Sequence, residues 1–342
     1  LKHRTTYLGS LQRFRSHVEY SLSKYFHEAQ FTKVSPPILT SSDCEGAGEL
    51  FKVEATSSEG QSSDFGKPAY LTVSTQLHLE ILAMALSRCY TLTPCFRAEK
   101  SDTNRHLSEF WMLEAEMCFI DDVSVLTTFI ESMIKQLIES CYANKDELLP
   151  SAVFQDSLSR ETILDRWESL SSKPWKKITY TEAIHILQKK HQENPFPKYE
   201  PKWGEPLQTE HEKWLAGDFF KAPVFVTDYP RDCKAFYMKL NKSETVGKET
   251  VACFDLLVPD MGEIVGGSIR EDDYNALVKE MERRGMNKSG DLDWYVSLRE
   301  NGSVPHGGFG LGMERLISYL YGNHNIRDAS PFHRSATGTI EL

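Results

Sequence analysis

The sequence has no long apolar run, no low-complexity tract and no internal repeat. A membrane-spanning helix needs roughly 20 consecutive apolar residues, and no stretch approaches that length. Hydrophobic residues make up 40% of the 342 residues and charged residues 26%, which excludes a disordered tail and a collagen-like fibre. At roughly 100–200 residues per domain, the length predicts two domains or one large domain that carries an insertion.

Cysteine is sparse, and the chain has no excess of basic residues. Its 7 cysteines are scattered without a zinc-binding spacing or a disulfide framework, so we expect a reducing compartment. The 39 lysines and arginines against 49 acidic residues give a formal charge of −10. This balance argues against a dedicated nucleic-acid coat, but it leaves room for an RNA substrate held by a local basic face.

Apolar residues follow a helical repeat most clearly over 11–29, 76–90 and 123–142. Residues 144–220 differ in composition from the rest of the chain: they are polar, contain several prolines and have widely spaced tryptophans. We interpret them as an insertion with little core of its own.

Two regions predict strands. The stretch Phe31–Thr40 predicts a strand that Pro36 and Pro37 interrupt, which places it at a sheet edge or an interface. Short apolar runs over 222–271 predict antiparallel strands.

A glycine-rich segment, Gly307–Gly312, precedes Arg315 and an apolar helical stretch. Glycines before a helix let the backbone approach a ligand closely, and a helix N-terminus favours an anion. Arg315 in the first turn would add a fixed positive charge. The glycine spacing does not fit a dinucleotide fingerprint. The segment therefore predicts either a phosphate site or a tight packing turn.

Charged residues cluster on two segments that alternate like strands, Phe96–Glu99 and His106–Glu116, which a polar loop joins. The pattern predicts a hairpin with several charges on one face, namely Arg97, Glu99, Glu114 and Glu116. A half-buried sheet rarely carries such charges without a ligand. The alternative is a solvated face of salt-bridged pairs.

Two further acids, Asp255 and Glu263, bracket a predicted strand–turn–strand. Two carboxylates at this spacing could hold Mg²⁺ against phosphate oxygens. The alternative is that both are ordinary surface acids.

The order of these segments resembles the catalytic domain of the class II aminoacyl-tRNA synthetases, in the aspartyl, asparaginyl and lysyl subgroup. Phe31–Thr40 is similar to the first motif of this class, which forms the dimer interface. Phe96–Glu116 is similar to the second motif and Gly308–Arg315 to the third. The resemblance covers nearly all of residues 1–342. It implies an α+β fold with an antiparallel β-sheet flanked by helices and a helical insertion at 144–220.

Finer features resemble the asparaginyl type of this subgroup. These features are Ser42–Phe51, Ala69–Gln76, Glu109–Glu114, Pro223–Pro230 and Gly262–Ser268. Aspartyl enzymes tend to have a lysine at the position of Leu79 and an aspartate at that of Glu114. Thr209–Glu212 is similar to bacterial and organellar asparaginyl enzymes. We therefore expect a mitochondrial matrix location, with the cytoplasm as the alternative.

The resemblance implies an ATP-dependent ligase that converts asparagine to asparaginyl-adenylate and transfers it to the 3′ end of tRNA(Asn). It also implies a homodimer formed through Phe31–Thr40. The chain starts at Leu1 without a leader, so we expect the numbering to begin inside a longer chain, after an upstream anticodon-binding OB domain. Three alternatives stay open: an aspartyl enzyme, an asparagine synthetase-like relative without tRNA binding, and a non-catalytic relative.

The resemblance also assigns roles around ATP. Arg97 would bridge the α-phosphate and the substrate carboxylate, and Glu99 would orient the site. Arg315 would reach the γ-phosphate and lie on adenine opposite Phe110, where stacking suits a flat ligand. The catalytic residues would be Arg97, Glu99 and Arg315. The ATP-binding set would be Arg97, Glu99, Arg105, His106, Phe110, Glu263, Gly310, Gly312 and Arg315.

The remaining roles concern the metal and asparagine. Asp255 and Glu263 would bind Mg²⁺, although Gly266 stands where aspartyl enzymes carry a serine. The asparagine-binding set would be Glu45, Ser74, Gln76, Glu114 and Arg270.

A carboxamide has a donor end and an acceptor end. Glu114 would accept from the amide NH₂, and Arg270 would donate to the amide oxygen. Aspartate would bring a like charge against Glu114, and buried mismatches of this kind discriminate by ~10⁴. The alternative for Glu114 is a structural acid on a strand.

Overall fold

The computed structural model describes residues 2–41, 50–54, 66–99, 106–150, 158–242, 245–286, 290–336 and 340. Within them the helices are α1 Thr6–Glu28, α2 Gln76–Leu86, α3 Val123–Ala143, α4 Lys145–Leu148, α5 Arg160–Ser172, α6 Tyr180–Glu193, α7 Thr209–Lys213, α8 Tyr274–Arg283, α9 Asp293–Glu300 and α10 Met313–Tyr321. A π-helical turn, Trp214–Phe219, follows α7, and short 3₁₀ turns occur at Lys2–Arg4, Arg231–Cys233 and Ile326–Ala329.

The described strands form two sheets. The strands are β1 Thr32–Lys33, β2 Leu39–Thr40, β3 Lys52–Val53, β4 Ala69–Leu71, β5 Arg88–Phe96, β6 Glu109–Cys118, β7 Lys176–Thr179, β8 Val224–Thr227, β9 Cys253–Val258, β10 Gly262–Ile269 and β11 His306–Gly312. The large sheet has the order β1-β5-β6-β11-β10-β9-β8-β7, and the small one β2-β4-β3. All pairs from β5 to β8 are antiparallel, whereas the edge strands β1 and β7 pair in parallel. The predicted antiparallel sheet flanked by helices is confirmed.

Helices α1 and α3 pack together with one apolar stripe each. Thr5 caps α1, and Asp122 caps α3 by accepting from the backbone N–H of Ser124 at 2.7 Å. Such caps satisfy backbone donors that a helix start leaves unpaired. Both predicted helices are confirmed, although α1 begins five residues earlier than expected.

The helix predicted over 76–90 extends four residues beyond the end of the helix in the structure. Helix α2 stops at Leu86, and Ser87 adopts a φ of 64° that ends the helical path. Arg88 begins strand β5 instead. Cys89 and Tyr90 supplied the apolar residues that suggested a longer helix, and both are buried on the strand.

The segment 144–220, predicted to have little core of its own, contributes buried residues to two clusters that it shares with the rest of the chain. Trp167 is fully buried, stacks on Phe14 with ring centroids 6.0 Å apart, and donates from its indole Nε1 to the carbonyl of Leu320. A second cluster buries seven further residues of the segment against β8 and β9: Tyr180, Ala183, Ile184, Leu187, Phe196, Leu215 and Ala216. Helices bring together apolar residues that lie far apart in the sequence, so this burial does not show as a continuous apolar run.

Pro36 and Pro37 lie between the two short strands β1 and β2, as the predicted interruption requires. Strand β1 is an end strand of the large sheet, so the predicted edge position is confirmed. None of the described helices is long and apolar enough to cross a membrane.

Candidate active site

Four neighbouring strands place two acids and two glycines in one row across the large sheet. Glu114 on β6 lies opposite Gly310 on β11, and Gly310 lies opposite Gly266 on β10. Gly266 in turn lies opposite Asp255 on β9. The two glycines contribute no side chains to the middle of the row, and a carboxylate stands at each end. Side chains from neighbouring positions therefore cover the sheet between Glu114 and Asp255.

A side chain at either of the two glycines would meet a neighbouring side chain. A Cβ on Gly310 would lie 2.6 Å from Cε of Met112, and one on Gly266 would lie 3.1 Å from Oε1 of Glu263. The glycines of 307–312 thus belong to strand β11 rather than to a loop. The predicted helix does follow, with Arg315 in the first turn of α10.

Two adjoining cavities open over this part of the sheet, with volumes of about 200 and 180 Å³. The first is lined by these residues predicted to bind ATP: Arg97, Glu99, His106, Phe110, Glu263, Gly310, Gly312 and Arg315. The second is lined by these residues predicted to bind asparagine: Ser74, Gln76, Glu114 and Arg270. Arg97 and Glu263 line both cavities and mark their junction. Arg105 and Glu45 lie outside the described residues.

In the first cavity, charged and aromatic side chains face one another across the end of the β5–β6 hairpin. Arg97 Nη1 lies 3.7 Å from Glu99 Oε1, and His106 Nε2 lies 3.9 Å from Glu99 Oε2. The Arg97 guanidinium carbon lies 5.4 Å from the centroid of the Phe110 ring. Arg315 is anchored by a 2.9 Å hydrogen bond from its Nη1 to the carbonyl of Glu263. The wall therefore offers two cations and an aromatic face to an anionic, planar ligand.

In the second cavity, Glu114 is buried and held in place by the segment that precedes α2. Its carboxylate accepts hydrogen bonds from the hydroxyls of Ser74 and Thr75 and from the backbone N–H of Thr75, the last at 2.9 Å. Gln76 follows as the first residue of α2, and its backbone N–H donates to Ser74 Oγ at 3.1 Å. One short segment therefore places three of the predicted asparagine-binding residues together.

Arg270 forms a bidentate pair with Glu116 below the second cavity. Its Nε and Nη2 each lie 3.0 Å from an oxygen of Glu116, and its Nη1 donates to Ser268 Oγ at 2.8 Å. Both partners are almost fully buried. Burial alone would lower the pKa of Arg270, but the attraction of Glu116 outweighs it and raises that pKa. The guanidinium is therefore a rigid, charged donor.

A buried polar cluster that the sequence did not predict lies beneath Gln76 and Arg270. Its centre is Glu80, whose carboxylate accepts from Tyr295 Oη at 2.9 Å and from Arg299 Nη2 at 2.8 Å. His306 Nε2 lies 2.7 Å from the same carboxylate. Burial tends to raise the pKa of Glu80, but these partners outweigh burial and lower it. They also hold α2, α9 and β11 together beneath the pocket.

At the other end of the row, Asp255 has a partner that we did not predict. Lys234 donates from Nζ to both carboxylate oxygens of Asp255, at 2.8 and 2.6 Å. Burial lowers the pKa of Lys234, but Asp255 outweighs this and raises it above the usual value. Burial and the nearby Asp255 raise the pKa of Glu263. Asp255 and Glu263 do converge above Gly266, yet the lysine contact does not fit Asp255 as a direct metal ligand.

The segment 144–220 also reaches this site. Glu212 on α7 accepts a hydrogen bond at 3.2 Å from the backbone N–H of Glu263. A β-bulge between Glu263 and Val265 shifts the register, which explains how Glu263 faces the same side as Gly266 three residues later. Apolar periodicity could indicate neither the bulge nor the irregular segment that carries Lys234.

A family model described as tRNA synthetases class II (D, K and N) matches residues 1–336. The chain is 63% identical to the mitochondrial asparagine–tRNA ligase of Saccharomyces cerevisiae, and the match covers 100% of the chain and 71% of that protein. It is 45% identical to the mitochondrial asparagine–tRNA ligase of Schizosaccharomyces pombe, over 98% of the chain and 70% of that protein.

A solved structure has the same fold. Asparaginyl-tRNA synthetase from Pyrococcus horikoshii, complexed with asparaginyl-adenylate, matches with a TM-score of 0.83 and 34% identity. The match covers 99% of this chain and 71% of that one.

Proposed function

The chain belongs to the asparagine–tRNA ligases within the class II tRNA synthetases, and we propose that its two adjoining cavities bind ATP and asparagine. The observation that carries this proposal is the separation of the two predicted residue sets into two cavities that meet at Arg97 and Glu263. One oxygen of the asparagine carboxylate attacks the α-phosphate of ATP and pyrophosphate leaves. A ribose hydroxyl at the 3′ end of tRNA(Asn) then attacks the activated carbonyl and AMP leaves.

Arg97 is placed to serve the first step. It lines both cavities, so its guanidinium can contact the asparagine carboxylate and the α-phosphate together. Negative charge grows on the α-phosphate in the transition state, and a cation already in position stabilises that charge without reorganisation. Arg315, fixed on the carbonyl of Glu263, supplies a second positive charge on the ATP side. Glu99 lies between Arg97 and His106 and orients both.

Glu114 and Arg270 are arranged to select a carboxamide over a carboxylate. A carboxylate accepts about four hydrogen bonds, and Ser74 and Thr75 supply three of them to Glu114. The remaining acceptor position suits the amide NH₂ of asparagine. Aspartate brings no donor there and adds a like charge in a partly dry pocket. Arg270 uses three of its five N–H groups on Glu116 and Ser268, so it retains donors for the amide oxygen.

Mg²⁺ would neutralise phosphate charge during activation, and Glu263 is the carboxylate best placed to hold it. Glu263 lines both cavities, whereas Asp255 accepts hydrogen bonds from Lys234.

A homodimer through Phe31–Thr40 fits the exposure of this edge. Leu39 in this segment and Ile81 and Leu86 on α2 are exposed, and Val34 packs against the α2 side of the sheet. Apolar residues at an end strand suit an isologous interface. Sedimentation at micromolar concentration should give twice the chain mass, and an active, strictly monomeric protein would contradict the proposal.

The location is proposed from likeness alone. Relatives from two yeasts are named mitochondrial, and the first is 63% identical to this chain. The mitochondrial matrix is therefore the proposed compartment. A fluorescently tagged full-length protein that stays in the cytoplasm would contradict it.

The enzymatic test is pyrophosphate exchange with asparagine and with aspartate in separate reactions, followed by transfer of labelled asparagine to tRNA(Asn). We expect exchange with asparagine to exceed exchange with aspartate by ~10⁴ in kcat/KM. Preferred exchange with aspartate would instead identify an aspartyl enzyme. Formation of free asparagine from aspartate would identify an amidating relative.

A further inference from the structure

Lys234 is held in a fixed position beside the second cavity. It follows the 3₁₀ turn Arg231–Cys233, and Arg284 donates to the carbonyls of Lys234 and Arg231 at 2.9 and 2.7 Å. Its ammonium group lies 4.1 Å from the centroid of the Tyr229 ring and donates hydrogen bonds to both carboxylate oxygens of Asp255. The backbone is thus fixed at its carbonyl, and the side chain is fixed by an aromatic face and a carboxylate.

The charges that line the second cavity show what Lys234 contributes. The cations are Arg97, Lys234 and Arg270, and the acids are Glu114, Glu116, Asp255 and Glu263. When all are ionised, these described lining residues carry three positive charges and four negative ones. Two of the acids, Asp255 and Glu263, converge above Gly266, where each has an oxygen within 3.3 Å of the same point. Without Lys234 this pair would have two free carboxylates, which is the ligand type that divalent cations prefer.

We propose that Lys234 is the resident cation of Asp255, so that an ammonium group, and no divalent metal, balances this carboxylate. Glu263 is then the one carboxylate of the pair that is open to a metal. Lys234 acts as a positioning residue that prevents a divalent ion from settling beside the asparagine cavity. The role of that cavity rests on the proposed function, but the metal preference of the two acids does not.

The test measures Mn²⁺ binding to the complete chain without substrates, from the loss of the free-ion signal in electron paramagnetic resonance. Lys234→Met removes the ammonium and keeps much of the side-chain volume. We expect it to bind Mn²⁺ at least tenfold more tightly than the wild type, because affinity rises with the number of free carboxylates. Lys234→Arg keeps the charge and should bind Mn²⁺ as weakly as the wild type. Adding Glu263→Gln to Lys234→Met should abolish the gain.

Lys239 offers a matched control. Its Nζ lies 2.5 Å from Asp272 Oδ1 in a lysine–aspartate pair that lines neither cavity. Lys239→Met should leave Mn²⁺ binding unchanged. Equal Mn²⁺ affinity of Lys234→Met and the wild type would overturn the inference. Because binding is measured without turnover, that result could coexist with normal asparagine activation, so failure of the inference and failure of the proposed function are distinguishable.

A second measurement needs only the wild type, in case Lys234→Met does not fold. A crystal of the protein soaked in Mn²⁺ locates the ion by anomalous scattering. We expect Lys234 to remain on Asp255. An ion at a coordination distance of about 2.0–2.3 Å from an Asp255 oxygen, with Lys234 displaced, would disprove the assignment.

Discussion

Gly308 lies directly opposite Glu116 in the ladder between β11 and β6, and the Glu116 carboxylate fills the space that a side chain at position 308 would need. A Cβ at this position would overlap Glu116 Oε2 and the carbonyl of Ala115. Glu116 can therefore lie flat over the sheet and reach Arg270 with both oxygens. The glycine on β11 thus determines how Arg270, which directly follows the neighbouring strand β10, is held.

Gly308→Ala should destabilise the protein and disturb the asparagine pocket. Because the methyl group would meet backbone and a buried carboxylate, the strands must shift, at a cost of about 3 kcal/mol in the free energy of unfolding. Urea unfolding measures this cost. Gly9→Ala is the matched control, since its methyl group would meet only Arg13 Nη1 at 3.9 Å inside α1. We expect that control to stabilise the protein by about 0.5–1 kcal/mol. Equal stability of the two variants would contradict the argument.

Glu116→Gln should cost more than an equivalent change at the surface. It leaves the buried guanidinium of Arg270 without its counter-charge, and breaking such a pair costs about 3–5 kcal/mol. The KM for asparagine should rise as well, because Arg270 loses its orientation. Asp232→Asn, which breaks an exposed pair with Arg283, should change stability by about 0–1 kcal/mol. A Glu116→Gln protein as stable as the Asp232→Asn protein would show that the pair contributes little.

Glu114→Gln should weaken the discrimination between asparagine and aspartate. A like-charge contact at about 4 Å is worth about 4 kcal/mol at an effective dielectric constant of 20, and the substitution removes it. Glu114→Ala should instead weaken asparagine binding by about 1–3 kcal/mol, because the amide NH₂ loses its acceptor. The measurement is the ratio of kcat/KM for the two amino acids in pyrophosphate exchange. If Glu114→Gln leaves this ratio unchanged, selection lies elsewhere in the pocket.

Arg97→Ala should reduce adenylate formation by orders of magnitude and leave the fold intact. The side chain is 37% exposed, so its removal creates no buried cavity, whereas the transition state loses its bridging cation. Pyrophosphate exchange and circular dichroism report the two effects separately. Arg160→Ala removes a half-buried arginine on α5 that lines neither cavity, and its activity should match the wild type. Near-normal exchange in Arg97→Ala would remove Arg97 from the mechanism.

The sequence was most informative where one local pattern determines the structure. Helices α1 and α3 follow from their apolar spacing. The predicted second strand of the hairpin is confirmed as β6, whereas the first was placed too late, since β5 ends at Phe96 and Arg97–Glu99 lie beyond it. The strand Gly307–Gly312 is harder to predict, because glycine disfavours strands and only the neighbouring side chains explain it. The contact between Lys234 and Asp255 is tertiary, since it joins an irregular segment to a strand 21 residues later.

The candidate site also contains residues that local patterns predict and residues that only the tertiary structure brings together. Motif resemblance brought together most of the residues that line the two cavities, since each motif is a contiguous segment. The residues that support the site from below were missed. Glu80, Arg299 and His306 come from three separate elements, and no short-range spacing connects them.

The stability that His306 contributes should depend on pH in a defined direction. Burial alone would lower the pKa of His306, but its hydrogen bond to Glu80 outweighs burial and raises the pKa above the usual 6.5. The folded state therefore binds the imidazole proton more tightly than the unfolded state. The resulting stabilisation is fully present below about pH 6.5 and is lost as the pH rises through the folded-state pKa.

The comparison of the wild type with His306→Gln isolates this effect. The difference in the free energy of unfolding should be largest near pH 6 and should shrink towards pH 9. Urea unfolding at several pH values measures it. His78 provides the opposite case, because burial lowers its pKa. For His78→Gln, the stability of the wild type relative to the variant should increase as the pH rises to about 6.5. A pH-independent difference for His306→Gln would mean that folding does not shift the pKa of His306, and it would contradict the raised pKa.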